Sequence, residues 1–195
     1  QETKAPEGYD VSDSNTHLGQ VILDSDSATG VSINKIGDWS FKFDQEDAGA
    51  GLAVVDQVKR GGVRLSKVDH ERDDSVAQGD ATLAGAEISV YNRSEKAVYV
   101  DGRRVEPGDV ALTLVTGLDG TAQSALDALP YGTYEARETK APRGYLLNAD
   151  WSVRFSIQGG DVLDLGNLQD DVERGGVSLR KLDADLNNAD AQGEA

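Results

Sequence analysis

Residues 56–81 read DQVKRGGVRLSKVDHERDDSVAQGDA, and residues 170–195 read DDVERGGVSLRKLDADLNNADAQGEA. About half of the aligned positions are identical, no gap is needed, and the offset is constant along the block. A second pair follows: ETKAPEGY from Glu2 and ETKAPRGY from Glu138. A third pair sets Trp39-Ser-Phe-Lys-Phe beside Trp151-Ser-Val-Arg-Phe. Self-similarity at a fixed spacing means a repeated structural unit, so it is read before any local pattern. The order of the blocks predicts three pieces. Residues 1–57 are the C-terminal part of a truncated repeat, 58–172 a complete repeat, and 173–195 the start of a further one. Gln1 opens inside a motif, which predicts a piece of a longer chain. The first repeat carries extra sequence between Tyr9 and Trp39, whose stretch Asp24–Gly30 (DSDSATG) reads as loop.

Within the complete repeat, period-two alternation dominates. Val63, Leu65 and Lys67 form one such row. Others are Ala86, Ile88 and Val90; Val98 and Val100; Tyr134, Ala136 and Glu138; and Trp151, Val153 and Phe155. Turn signals separate the rows, among them Asp101-Gly102, Pro107-Gly108, Asp119-Gly120 and Pro142-Arg143-Gly144. Many short strands between regular turns predict an all-β sandwich, repeated in tandem. Thr121–Ala128 is the one segment with helical character, and it is short.

The composition narrows the chemistry. The 195 residues carry a formal net charge of −16, with no Cys, no Met and two His. An acidic surface repels nucleic acid and anionic lipid, because each approaching phosphate meets like charge. Without Cys there is no disulfide, thiolate metal site or Cys nucleophile. His17 and His70 both lie in polar stretches, which argues against zinc. No apolar run approaches the ~20 residues of a membrane span. The expectation is a chain with no cofactor and no metal, and no contact with nucleic acid or membrane. The Asp-rich turns at 69–74 and 183–190 lack the Gly and terminal Glu of a calcium loop and read as solvated turns. Trp39 and Trp151 read as core. Leu129-Pro130-Tyr131-Gly132-Thr133 reads as a turn. No Ser and His positions suggest a catalytic triad, so an enzyme is not expected.

Three charged residues break the alternation in the same direction. Lys67 continues the row of Val63 and Leu65, and Glu138 that of Tyr134 and Ala136. Asp170 lies between Leu168 and Val172 on the face they share. Each side chain is therefore predicted to point inward. The partial copies agree in Lys181, after Val177 and Leu179, and in Asp56, between Val54 and Val58. Burying unpaired charge is costly, so a lysine with two acids implies a buried ion network or a reaction.

These residues lie in GGVRLSKVD (61–69), LAGAEISVYN (83–92), LPYGTYEARETKAPRGY (129–145) and LQDDV (168–172). On them the chain resembles the Cna-B-type, or SpaA-like, domains of Gram-positive surface adhesins and pilins, which are prealbumin-like β-sandwiches. The resemblance implies a bond between a first-strand Lys and a last-strand Asn or Asp, assisted by the Glu that opens the E-T-x-A-P block. By position these are Lys67, Asp170 and Glu138. With Asp as acceptor the leaving group is water. Asn167 is the rival acceptor. Simple alternation puts it on the opposite face, unless a β-bulge near Gly166 reverses that face. In a dry core desolvation disfavours charged forms of amines and acids alike, by up to ~3–5 pKa units. An amine there can act as nucleophile, and a protonated acid can steady the developing oxyanion. Glu2 and Asp56 take the matching roles in the first repeat and Lys181 in the third, but none of these partial sites can close within the chain. The resemblance also implies an extracellular, wall-attached stalk module, with neighbouring repeats and other pilin subunits as partners. The alternative is a repeat that itself binds a host matrix protein or glycan, through 11–38.

Overall fold

A computed structural model describes residues 4–10, 56–190 and 192–193. Twelve strands follow in chain order: β1 (Tyr9–Asp10), β2 (Gln57–Val58), β3 (Arg60–Asp69), β4 (Glu87–Asn92), β5 (Val98–Val100), β6 (Arg103–Val105), β7 (Val110–Val115), β8 (Thr121–Gln123), β9 (Leu129–Pro130), β10 (Gly132–Lys140), β11 (Ser152–Ile157) and β12 (Val162–Asp170). No helix occurs among the described residues. Thr121–Ala128 gives the short strand β8 and a turn, and the stretch from Leu129 gives β9 before β10 begins. The chain is thus all-β, as the alternation predicts.

Two sheets face each other. One runs β11-β10-β4-β7 and is antiparallel throughout. The other runs β12-β3-β8, with β9 also pairing the start of β3. Their inner faces meet in a core of Val63, Leu65, Ile88, Val90, Leu129, Tyr134, Ala136 and Leu168, all at most 1% exposed. Burial of each large apolar side chain contributes ~1.5–3 kcal/mol, so this layer rather than the strand propensities holds the sheets together. Trp151 and Val153 pack against the core's edge. Trp151 is half-buried because its indole N–H reaches out to the Asn167 carbonyl at 3.2 Å.

The pairing of β3 with β12 decides what the fold can do. These strands are parallel neighbours, with Leu168 opposite Lys67 and Asp170 opposite Asp69. A parallel pair needs a long crossover, and here the rest of the sandwich supplies it. The ladder is interrupted between Asp164 and Asn167, where Gly166 has φ +81°. The glycine accommodates this left-handed bulge, and its N–H is held by Asp164 Oδ1 at 2.9 Å. Leu165 and Leu168 therefore both point inward with two exposed residues between them. From Leu168 the alternation resumes, with Asp170 buried.

The sequence blocks recur as recurring hydrogen bonds. In APEGY and APRGY alike the tyrosine N–H returns to the proline carbonyl, at 3.1 Å for Tyr9 and 3.2 Å for Tyr145. Gly8 and Gly144 take φ +86° and +87°. Tyr9 pairs Val58 as Tyr145 pairs Val172. Lys59 N–H donates to the Gly8 carbonyl as Glu173 N–H does to that of Gly144, both at 2.8 Å. Asp69 Oδ1 accepts the N–H groups of Glu71 and Arg72, and Asp183 Oδ1 those of Asp185 and Leu186. Between these two loops the copies differ. Val177 and Leu179 are 100% and 95% exposed and form no strand, because no neighbouring strand pairs with them.

Candidate functional site

Lys67 enters the core from the eighth position of β3, Glu138 from β10 in the opposite sheet, and Asp170 from the last residue of β12. All three side chains have no solvent exposure. Lys67 Nζ lies 2.6 Å from Asp170 Oδ1 and 3.7 Å from Glu138 Oε1. It donates to the Leu168 carbonyl at 3.3 Å. The approach to Asp170 is close but not aligned as a hydrogen bond. Both Asp170 oxygens and Glu138 Oε1 lack a hydrogen-bond partner among the described residues. Buried polar atoms in this condition are costly, which sets the cluster apart from a settled ion network.

Electrostatics follow from burial. Burial pushes the Glu138 carboxyl up to about 7, against the pull of the Asn148 N–H and of Lys67. Burial also raises Asp170, against the pull of Lys67. The acids titrate as a pair, and a protonated Glu138 facing an ionised Asp170 leaves one negative charge opposite one ammonium. The arrangement brings an amine within 2.6 Å of one carboxyl oxygen and 3.7 Å of a second.

Asn167 is exposed, because the bulge at Gly166 shifts the inward-facing set from Leu165 to Leu168 and Asp170 and leaves Asn167 between them facing out. Asp56 is half-buried ahead of β2, and Lys181 is exposed in the segment without strands. Glu2, Trp39 and the stretch 11–38 lie outside the described residues. Among the described residues no group of three His, Cys, Asp or Glu side chains is placed to hold a metal ion.

Two residues escaped the sequence reading. Asp69, expected in a solvated turn, is 0% exposed. It accepts from the Tyr145 hydroxyl at 2.8 Å, from Gln78 Nε2 at 2.9 Å, and from two main-chain N–H groups. Burial opposes its ionisation, but these donors outweigh burial and hold Asp69 below the usual carboxylate range. One more step along the row Val63, Leu65, Lys67 would have found it. The second is Asn148, whose main-chain N–H donates to Glu138 Oε2 at 2.9 Å. Above it lies a surface cavity of ≈330 Å³, lined in part by His70, Asn148, Gln169 and Asp171. There His70 Nδ1 meets Asp171 at 2.7 Å, and this contact raises the His70 pKa.

Comparison with curated proteins finds no match. Among solved structures, the chain is similar to BcpA, the major pilin subunit of Bacillus cereus, at 22% identity and a TM-score of 0.41, over 60% of this chain and 31% of that one. It is similar to the group B streptococcus pilus 2b backbone protein at 21% identity and a TM-score of 0.42, over 65% and 46%. The full-length major pilin SpaD of Corynebacterium diphtheriae gives 20% identity and a TM-score of 0.41, over 62% and 33%. The chain spans less than half the length of each of these proteins. The family model of the SpaA domain, described as a prealbumin-like fold domain, matches residues 61–168, from the second residue of β3 to Leu168 in β12. That match covers more than half of the chain, and the chain belongs to the SpaA family of prealbumin-like fold domains.

Proposed function

We propose that the repeat spanning 58–172 locks itself with an isopeptide bond between Lys67 and Asp170, assisted by Glu138, and serves as a load-bearing stalk module of a bacterial surface protein. The observation that carries this reading is the 2.6 Å approach of Lys67 Nζ to Asp170 Oδ1 with neither side chain exposed. A proton passes from the Lys67 ammonium to Asp170, giving a neutral amine and acid. Nζ attacks Cγ of Asp170 while Glu138 donates to the oxygen that gains charge. Nζ loses its proton, the Cγ–O bond breaks, and one water leaves. Glu138 carries the proton from amine to leaving oxygen and ends as it began. The fold supplies proximity, worth ~7–11 kcal/mol of the barrier in well-oriented systems. The protein turns over no other substrate by this chemistry.

The mechanical consequence comes from the parallel pairing of β3 and β12. Tension entering at Arg60 would run along β3 to Lys67, cross the amide and leave at Asp170. Nearly all of the sandwich would lie outside the load path. The recurring turns at Gly8 and Gly144 support tandem repeats, in which each module closes in the same way. The partners on this reading are the neighbouring repeats and other subunits of the same kind, at the cell surface. Intact-mass measurement of the purified chain tests the bond. A mass one water below that of the sequence supports Lys67–Asp170, loss of ammonia points to Asn167, and the full mass refutes the cross-link.

A further inference from the structure

Asn148 lies in the connection between β10 and β11, outside every strand. All its polar groups are engaged. The main-chain N–H donates to Glu138 Oε2 at 2.9 Å. Side-chain Nδ2 donates to the Gln169 carbonyl at 2.7 Å, and Oδ1 accepts the Trp151 N–H at 3.1 Å. Trp151 in turn donates its indole N–H to the Asn167 carbonyl at 3.2 Å. Among the described residues β12 has only β3 as a neighbouring strand, and its carbonyls at 167 and 169 are held by this connection instead. They flank Leu168, whose carbonyl receives Lys67 Nζ. One residue thus ties the acid on one sheet to the acceptor strand on the other.

We propose that Asn148 is the positioning residue of the cross-link site, its main chain fixing the Glu138 carboxyl and its side chain fixing the strand that presents Asp170. This rests on the cross-link reading for its role in bond formation, but the geometry it asserts stands apart from that reading. An amide is required because it donates and accepts at once. Asp would cap Trp151 but set a charge against the Gln169 carbonyl, and Ala would do neither. The N–H of Asn148 bonds the ionised form of Glu138, so loosening the connection raises the Glu138 pKa further.

Two readouts test this. The first is the time course of water loss in freshly folded wild type and Asn148→Ala. The variant is expected to condense roughly ten- to a hundred-fold more slowly, since displacements near 1 Å cost that order. The second is a carbon-13 titration of the Glu138 carboxyl in Lys67→Met, which cannot condense, with and without Asn148→Ala. Should Lys67→Met not fold, Asp170→Ala takes its place. The Glu138 midpoint is expected to move up with Asn148→Ala and to stay put with Trp151→Phe, which removes only the contact to Asn167. An unmoved midpoint overturns the proposal, even if condensation slows, because slower condensation alone follows from any local damage. If the wild type never loses water, the cross-link reading falls, and the titration still decides the place of Asn148.

Discussion

Replacing Lys67 by Met removes the nucleophile while nearly keeping its volume, so it isolates the bond from the packing. The proposed bond would close a loop of about a hundred residues. By the disulfide relation such a loop restricts the unfolded chain by about 4–5 kcal/mol. For a domain of this size, between the small and large classes, 1 kcal/mol shifts Tm by about 3–6 °C, so Lys67→Met is expected to melt roughly 12–30 °C below wild type. Lys67→Ala adds a cavity at a site without solvent exposure and should lose roughly a further 2 kcal/mol or more. The variants also acquire a pH dependence. With no ammonium beside it, Glu138 stays above its ordinary value of 4.5, as burial already holds it near 7. A raised acid keeps its proton in the folded state longer than in the unfolded one. Stability is therefore fully present below about pH 4.5 and declines as pH rises through 7. From 4.5 to about 7 the loss for Glu138 alone is about 3 kcal/mol. Thermal unfolding followed by circular dichroism at pH 5 and pH 8 measures both effects. Equal melting temperatures for wild type and Lys67→Met would exclude a stabilising cross-link, and a Lys67→Met more stable at pH 8 than at pH 5 would exclude a raised Glu138 pKa in the folded state.

Four other outcomes are expected. Glu138→Ala should fold but retain its full mass for hours after refolding, because the proton carrier is gone; in wild type, condensation should slow as pH rises past about 7, where Glu138 loses its proton. Asn167→Ala should condense like wild type by mass spectrometry, since Asn167 faces solvent. Asp69→Ala should still lose water but unfold ~2–4 kcal/mol more readily in urea, because the Tyr145 hydroxyl, Gln78 and two main-chain N–H groups lose their acceptor.

Much of the site was legible because strands have period two. Apolar neighbours alone place Lys67, Glu138 and Asp170 on inward faces, and all three are buried. The glycine at 166 marked where the alternation would be disturbed, but not which face would follow. That required the pairing with β3, in which two residues are set aside and Leu168 returns to the core. Asn148 was invisible for a different reason. Its proposed role depends on a main-chain N–H and on the Gln169 carbonyl, 21 residues along the chain, and neither leaves a periodic mark in the sequence. Val177 and Leu179 repeat the pattern of Val63 and Leu65 yet form no strand. Alternation encodes which face is apolar; a strand also needs a neighbour to pair with.

An isopeptide bond in this repeat joins the Lys67 amine to the Asp170 carboxyl and to no other acid on the proposed reading. Trypsin digestion of the denatured wild-type chain followed by tandem mass spectrometry reads this directly. A branched species is expected, in which Leu65–Arg72, uncut after Lys67, is linked through Asp170 to Phe155–Arg174, one water lighter than the two peptides together. Recovery of the two as separate peptides, with cleavage after Lys67, would contradict it.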